Sequence, residues 1–152
     1  MHQTGGELRV TVPVWMLLGF AAWTVVLLLA TVGVYRWSRI LRGTVPIRDF
    51  RADQVEGADW YRRAMRAHAN CVENLPVFGA IVLALYIAHV TGSLVNVLAI
   101  AILVARLAQS LVHVCFAQTN RVTSIRFALF FIQIIGFLWL IVIIVTKFTG
   151  AA

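Results

Sequence analysis

Apolar residues fall in four runs with short polar breaks between them. Val10 to Val34 holds no ionisable residue and closes on Tyr35-Arg36-Trp37. Further runs cover Leu75 to Val90, Leu94 to about Phe116, and Ile125 to Val145. A helix needs roughly 20 apolar residues to cross a bilayer. The pattern therefore predicts spans at about 11–36, 64–90, 94–116 and 122–147, in a single domain over residues 1–152. Thr91-Gly92-Ser93 and Ala117 to Arg121 are the breaks between the last three runs. Connections this short make successive helices antiparallel. The expected fold class is all-α, an integral membrane four-helix bundle, with one substantial loop at about 38–62 that contains Gly43, Pro46 and Gly57. The first run is too long for a cleaved signal and lacks a basic segment ahead of it, so it reads as a retained span.

Composition agrees. Charged residues make up 12% and hydrophobic ones 61%, whereas a soluble domain is about a quarter charged. A formal charge of +7 would point to nucleic acid in a soluble protein. Here the arginines flank apolar runs, which is the mark of membrane orientation and gives no nucleic-acid partner. Arg36, Arg39, Arg42, Arg48, Arg51, Arg62, Arg63 and Arg66 lie in or beside the first loop, Arg121 and Arg126 by the third connection, and none by the second. Positive-inside counting puts the long loop in the cytoplasm and both termini on the opposite side. The arginine-rich balance suits a bacterial inner membrane. Cys71 and Cys115 both sit in or beside apolar stretches, so no disulfide framework is implied.

The polar residues inside the spans carry the chemistry. An ionisable residue at a helix centre costs about 2.5–3.5 kcal/mol on insertion scales and usually faces a partner or a cavity. Arg66, Asn70, Glu73 and Asn74 share one face of the second helix, at helical spacings. Pro76 follows, which leaves one backbone carbonyl without its usual donor a turn earlier. Arg106, Gln109, Ser110 and His113 share a face of the third helix, and Arg126 and Gln133 one of the fourth. Arg36, Arg66, Arg106 and Arg121 are expected at one membrane depth, with Glu73 as the only acid inside the spans. Such a surplus of guanidinium groups calls for an anionic ligand with carboxylates. Taken singly, each arginine also fits a snorkelling interfacial residue, and the Arg66–Asn70–Glu73 set fits a network fixing helix register. His68 and His113 lack neighbours at ligand spacing, so no metal is expected.

The run from Arg63 to Phe78, with its core R-A-H-x-N-x-x-E-N over Arg66 to Asn74, closely resembles the signature of the MAPEG family. These are membrane-associated proteins of eicosanoid and glutathione metabolism, among them the microsomal glutathione transferases. Tyr35-Arg36-Trp37-Ser38-Arg39, Ala105-Arg106 and Asn120-Arg121 resemble further family positions. The resemblance covers nearly the whole chain. It implies a homotrimer in the membrane lipid, with glutathione as co-substrate bound between adjacent subunits near the cytoplasmic side. Carried over by position, Arg36, Arg66, Asn70 and Glu73 would bind glutathione, with His68 close by and Arg106 adding a contact. Arg121 matches the arginine that holds the sulfur as a thiolate, ready to attack a lipophilic small molecule. His113 stands where the microsomal transferases carry a tyrosine, so that contact does not carry over. Met65 replaces one arginine of a doubled pair, and the spacing from Arg106 to Arg121 is one residue shorter than in some relatives.

Three functions follow as alternatives. The first is a glutathione transferase or peroxidase acting on lipophilic electrophiles or hydroperoxides. The second keeps the fold and binds glutathione or another anion without turnover, which His113 favours. The third is a small proton-coupled transporter built on Glu73, ranked last because the outer halves of the spans hold no ionisable residue except His89.

Overall fold

The computed structural model describes residues 10–50 and 57–150. These form four long helices: α1 (Val12–Leu41), α2 (Asp59–Ile87), α3 (Ser93–Cys115) and α4 (Asn120–Thr149). All four are long and apolar enough to cross a membrane, and no strand occurs among the described residues. Among the described residues of the long loop, Ile47–Asp49 forms a 3-10 turn. Helices extend beyond the expected spans on the loop side. α1 continues past Arg36 to Leu41, and α2 already starts at Asp59, so Arg39, Arg62 and Arg63 are helical rather than loop residues. Arg51, counted above with the loop arginines, lies outside the described residues.

Local chemistry sets the helix ends. Pro13 occupies the first turn of α1, where its missing N–H costs nothing and its fixed φ suits a helix. Thr119 caps α4, its hydroxyl accepting from the Val122 N–H, which meets one of the orphan donors of the first turn. Between Leu28 and Gly33, α1 widens to a π-helical turn. α2 runs unbroken through Pro76.

α3 is the central helix and packs against each of the other three. Its association with them rests on close packing, because lipid chains are as apolar as the side chains they would replace and give helices little hydrophobic reason to associate. Phe20 of α1 and Phe137 of α4 flank Phe78 of α2, with centroids 5.9 and 6.0 Å away. α3 and α4 approach so closely that a Cβ at Gly136 would stand 2.8 Å from Ile102 Cγ1.

A second cluster ties α1 to α2 at the end of the bundle where the long loop lies, hereafter the loop end. Tyr35 stacks on Tyr61 with centroids 4.0 Å apart, the Ala58 N–H donates to Tyr35 Oη at 3.2 Å, and Arg39 sits 4.5 Å over the Tyr35 ring. Gly57 makes this junction possible. Its φ is +132°, and an added Cβ would overlap the Tyr35 hydroxyl. Gly57→Ala should therefore cost about 1–3 kcal/mol, seen as a lower melting temperature in detergent, whereas the same change at Gly43, where nothing stands within 4 Å, should cost less.

Candidate functional site

The polar face of α3 joins the bundle. Arg106, Gln109, Ser110 and His113 are all buried. Gln109 Nε2 donates to the Arg126 carbonyl at 3.1 Å, while Gln109 Oε1 accepts from Gln133 Nε2 at 3.1 Å. Toward α2, His113 Nε2 lies 3.3 Å from Asn70 Nδ2, and Ser110 Oγ lies 3.5 Å from Cys71 Sγ. Asn74 Nδ2 donates to the Asn70 carbonyl at 2.8 Å. One stripe thus fixes α2 on one side and α4 on the other.

Two cavities flank this stripe at the loop end. The larger, about 420 Å³, is lined by Arg62, Arg63, Arg66 and Arg126 with Asp59, His113, Ala117 and Gln118. The smaller, about 250 Å³, is lined by Asn70, Gln109, His113, Thr123 and Arg126, and by the rings of Phe127 and Phe130. The larger falls within the roughly 300–1,000 Å³ of small-molecule sites. Among the described residues, four guanidinium groups line it against one carboxylate, Asp59, which is already paired with Arg62. Arg63 Nη2 donates to the Val114 carbonyl at 3.4 Å. Arg63 Nε, Arg126 Nε and His113 Nδ1 are buried with no partner. Buried donors of this kind are costly to leave unmet.

The structure distributes the sequence-derived residues unevenly. Arg66, Asn70 and His113 line the cavities. Arg36 is half-buried and turned to α2, its Nε donating to Tyr61 Oη at 2.8 Å and its guanidinium 5.5 Å from the Phe50 ring. His68 is half-buried and lines neither cavity, and Glu73 and Arg121 are exposed and also line neither. Arg106 corrects the expectation of a common depth. Its guanidinium sits 5.4 Å over the ring of Phe20, and Phe20 precedes Arg36 on α1 by sixteen residues, about 24 Å along the helix. Arg106 stands nine residues before the end of α3 at Cys115, about 13.5 Å into the helix, and its side chain leans further from the loop end, toward its own N-terminus.

Sequence reasoning counted Arg62, Arg63 and Arg126 for orientation, and Arg126 for the face that it shares with Gln133, and missed all three as wall residues. A signal was present. Arg62, Arg66, Ala69, Glu73, Pro76 and Ala80 recur at helical spacing and form one exposed stripe along α2, so the polar face starts a turn earlier than Arg66.

Four apolar spanning helices, with an arginine-lined chamber between α2, α3 and α4 at the loop end, define the class: an integral multi-pass membrane protein. The chain belongs to the MAPEG family, whose model matches residues 13–146, nearly its full length. The family includes glutathione transferases and peroxidases as well as other members. No curated protein and no solved structure gives a significant match.

Proposed function

We propose that this protein is a glutathione-dependent membrane enzyme, joining glutathione to lipophilic electrophiles or reducing hydroperoxides with it. The observation that carries the reading is the arginine chamber, whose one acid among the described residues is already paired. Glutathione brings two carboxylates, for which Arg63 and Arg66 are at hand, and Asn70 and His113 supply hydrogen bonds deeper in. The stripe that holds Arg66 and Glu73 is exposed on a single subunit, and a carboxylate facing lipid is costly. A second copy covering that stripe, in the homotrimer that the family resemblance implies, would bring Glu73 and a neighbour's Arg36 to the same ligand. The long loop then faces the cytoplasm, where glutathione is found, in a bacterial inner membrane.

The chemistry is nucleophilic. A free thiol has a pKa of about 8.5 and is mostly protonated at neutral pH, and a guanidinium beside the sulfur favours the charged form. The proton leaves to water through the polar chamber. The thiolate lone pair forms the new C–S bond, and the leaving group departs with the electrons of the bond that breaks. With a hydroperoxide, sulfur takes the terminal oxygen and the alcohol leaves; a second glutathione then converts the sulfenic acid to disulfide and water. One observation favours the non-catalytic reading, namely the imidazole of His113 where the transferases carry a phenol.

Calorimetry on detergent-purified protein, with ultraviolet absorbance of the bound thiolate, tests the proposal. Saturable binding with a thiolate band is expected. Binding without the band would leave a glutathione site lacking the chemistry. No heat at millimolar glutathione would overturn the proposal.

A further inference from the structure

We infer that the π-helical turn of α1 is a one-residue register shift that positions Tyr35 and Arg36 against α2; its bearing on a ligand rests on the glutathione reading above. Burial along α1 changes phase at that turn. Before it, Phe20, Thr24 and Leu27 are buried, at steps of four and three that mark one face of a helix. A plain α-helix would continue that face at Thr31 and Val34. The buried residues are instead Val32 and Tyr35, each one position later, while Val34 is 59% exposed. The turn from Leu28 to Gly33 thus takes up one extra residue. Its backbone agrees, because the Val34 N–H donates to the Leu29 carbonyl, five residues back rather than four. The Thr31 hydroxyl donates to the Leu27 carbonyl where the pairing changes.

The contacts that join the loop end of α1 to α2 use the shifted face. Tyr35 stacks on Tyr61, its hydroxyl accepts from the Ala58 N–H, and Arg36 Nε donates to Tyr61 Oη. Each residue of a helix turns by about 100°. In a plain α-helix of the same sequence Val34 would face α2, and Tyr35 would stand about 100° off. Arg36, two residues past Val34, would stand about 200° off, on the side of α1 away from α2 and out of reach of Tyr61. π-helical turns are rare, and single ones concentrate at functional sites. This one brings the Arg36 guanidinium to Tyr61 and Met65, next in sequence to Arg66.

What the shift requires is a count of residues rather than particular side chains. Leu29 and Ala30, within the turn, are exposed, so their number can change without opening the core. With one of them removed, α1 can close into a plain α-helix in which Tyr35 follows Leu27 by seven positions, about 700° and so close to two full turns. Tyr35 and Arg36 then keep their places. One residue added instead rotates both by about 100°. A helix that was regular to begin with would lose their placement by either change.

Cross-linking tests the register, and calorimetry tests what it does for a ligand. In a Cys115→Ser background, Tyr61→Cys is combined in turn with Val34→Cys and with Tyr35→Cys, and disulfide formation under mild oxidant shows which residue faces α2. The Tyr35→Cys pair should cross-link in the parent chain and again with Ala30 deleted. An alanine inserted after Ala30 should move the cross-link to the Val34→Cys pair. Circular dichroism and size-exclusion profiles establish that each variant is folded, and the two pairs in the parent chain decide the register even where the insertion does not fold. Without the added cysteines, the deletion should keep the parent affinity for glutathione to within about twofold, while the insertion and Arg36→Ala should each lose about tenfold, the scale of one charge-assisted hydrogen bond. The register shift is overturned if the parent chain cross-links at Val34→Cys, or if the deletion moves the cross-link off Tyr35→Cys. The positioning role is overturned if the deletion, its cross-link intact, loses glutathione as the insertion does, or if Arg36→Ala binds as the parent does. A parent protein that binds no glutathione brings down the glutathione reading and the positioning role with it, while the cross-links still decide the register.

Discussion

Arg66→Glu should bind no measurable glutathione and, without ligand, should melt at a higher temperature than the parent protein. The two effects have one cause. Arg66 shares the larger cavity with Arg62, Arg63 and Arg126, and the one acid on that wall among the described residues is already engaged by Arg62. In the empty site the guanidinium groups repel one another. A carboxylate at position 66 replaces one repelling charge with an attracting one, worth up to about 1 kcal/mol for a partly exposed pair. It also puts a tethered anion where a ligand carboxylate would bind. Truncating one partner of a buried ion pair costs about 2–5 kcal/mol, and inversion adds repulsion, so a loss of affinity above roughly 30-fold is expected on that scale. Calorimetry and thermal melts in the same detergent measure both. A lower melting temperature would instead make Arg66 part of a register-fixing network. Unchanged affinity would make it a snorkelling residue that the ligand never meets.

What could be read in the sequence was whatever depends on local periodicity. Four apolar runs became four spanning helices, and the Arg106–Gln109–Ser110–His113 face was placed together because spacings of three and four fix a helix face. The Arg66–Asn70 side of α2 does meet that face, through Asn70 and His113. Pairing across helices was not legible. Nothing local shows that Gln133 would find Gln109, or that Gln109 would hold the Arg126 carbonyl, and that tie helps to place Arg126 in both cavity walls. Depth was misread for a related reason. Arg106 stands nine residues short of the end of α3, so its Cα is already about 13.5 Å deep, and its long side chain carries the charge further toward the helix N-terminus. The π-helical turn in α1 also left no mark, since Leu28 to Gly33 reads like the rest of its run.

The same displacement isolates Arg106, and Arg106→Met should raise the melting temperature of the ligand-free protein. Its side chain is 1% exposed, packed on Phe20, with Nε and Nη2 unpartnered. Among the described residues no carboxylate comes within 4.0 Å of it. A buried charge without a counter-ion loses its hydration and gains little in return, and replacing buried ionic groups with apolar ones of similar volume is neutral or stabilising by about 1–4 kcal/mol. Against that stands the cation–π attraction between the guanidinium and the Phe20 ring, worth about 0.5–2 kcal/mol, of which a methionine sulfur on the same ring returns part. Arg106→Ala, by contrast, leaves a void among Phe20, Ile102 and their neighbours and should melt lower. The penalty of Arg106→Met should appear in binding. At an effective dielectric of 20, a positive charge roughly 20 Å from an anion contributes under about 1 kcal/mol, so the affinity of Arg106→Met for glutathione should fall by no more than about fivefold, though the residue lines neither cavity. Higher stability together with weaker binding would identify Arg106 as a buried field source for the chamber. A lower melting temperature in Arg106→Met would show instead that the charge is paired in the assembled protein, and Glu73, exposed on the single subunit, is the acid to replace next.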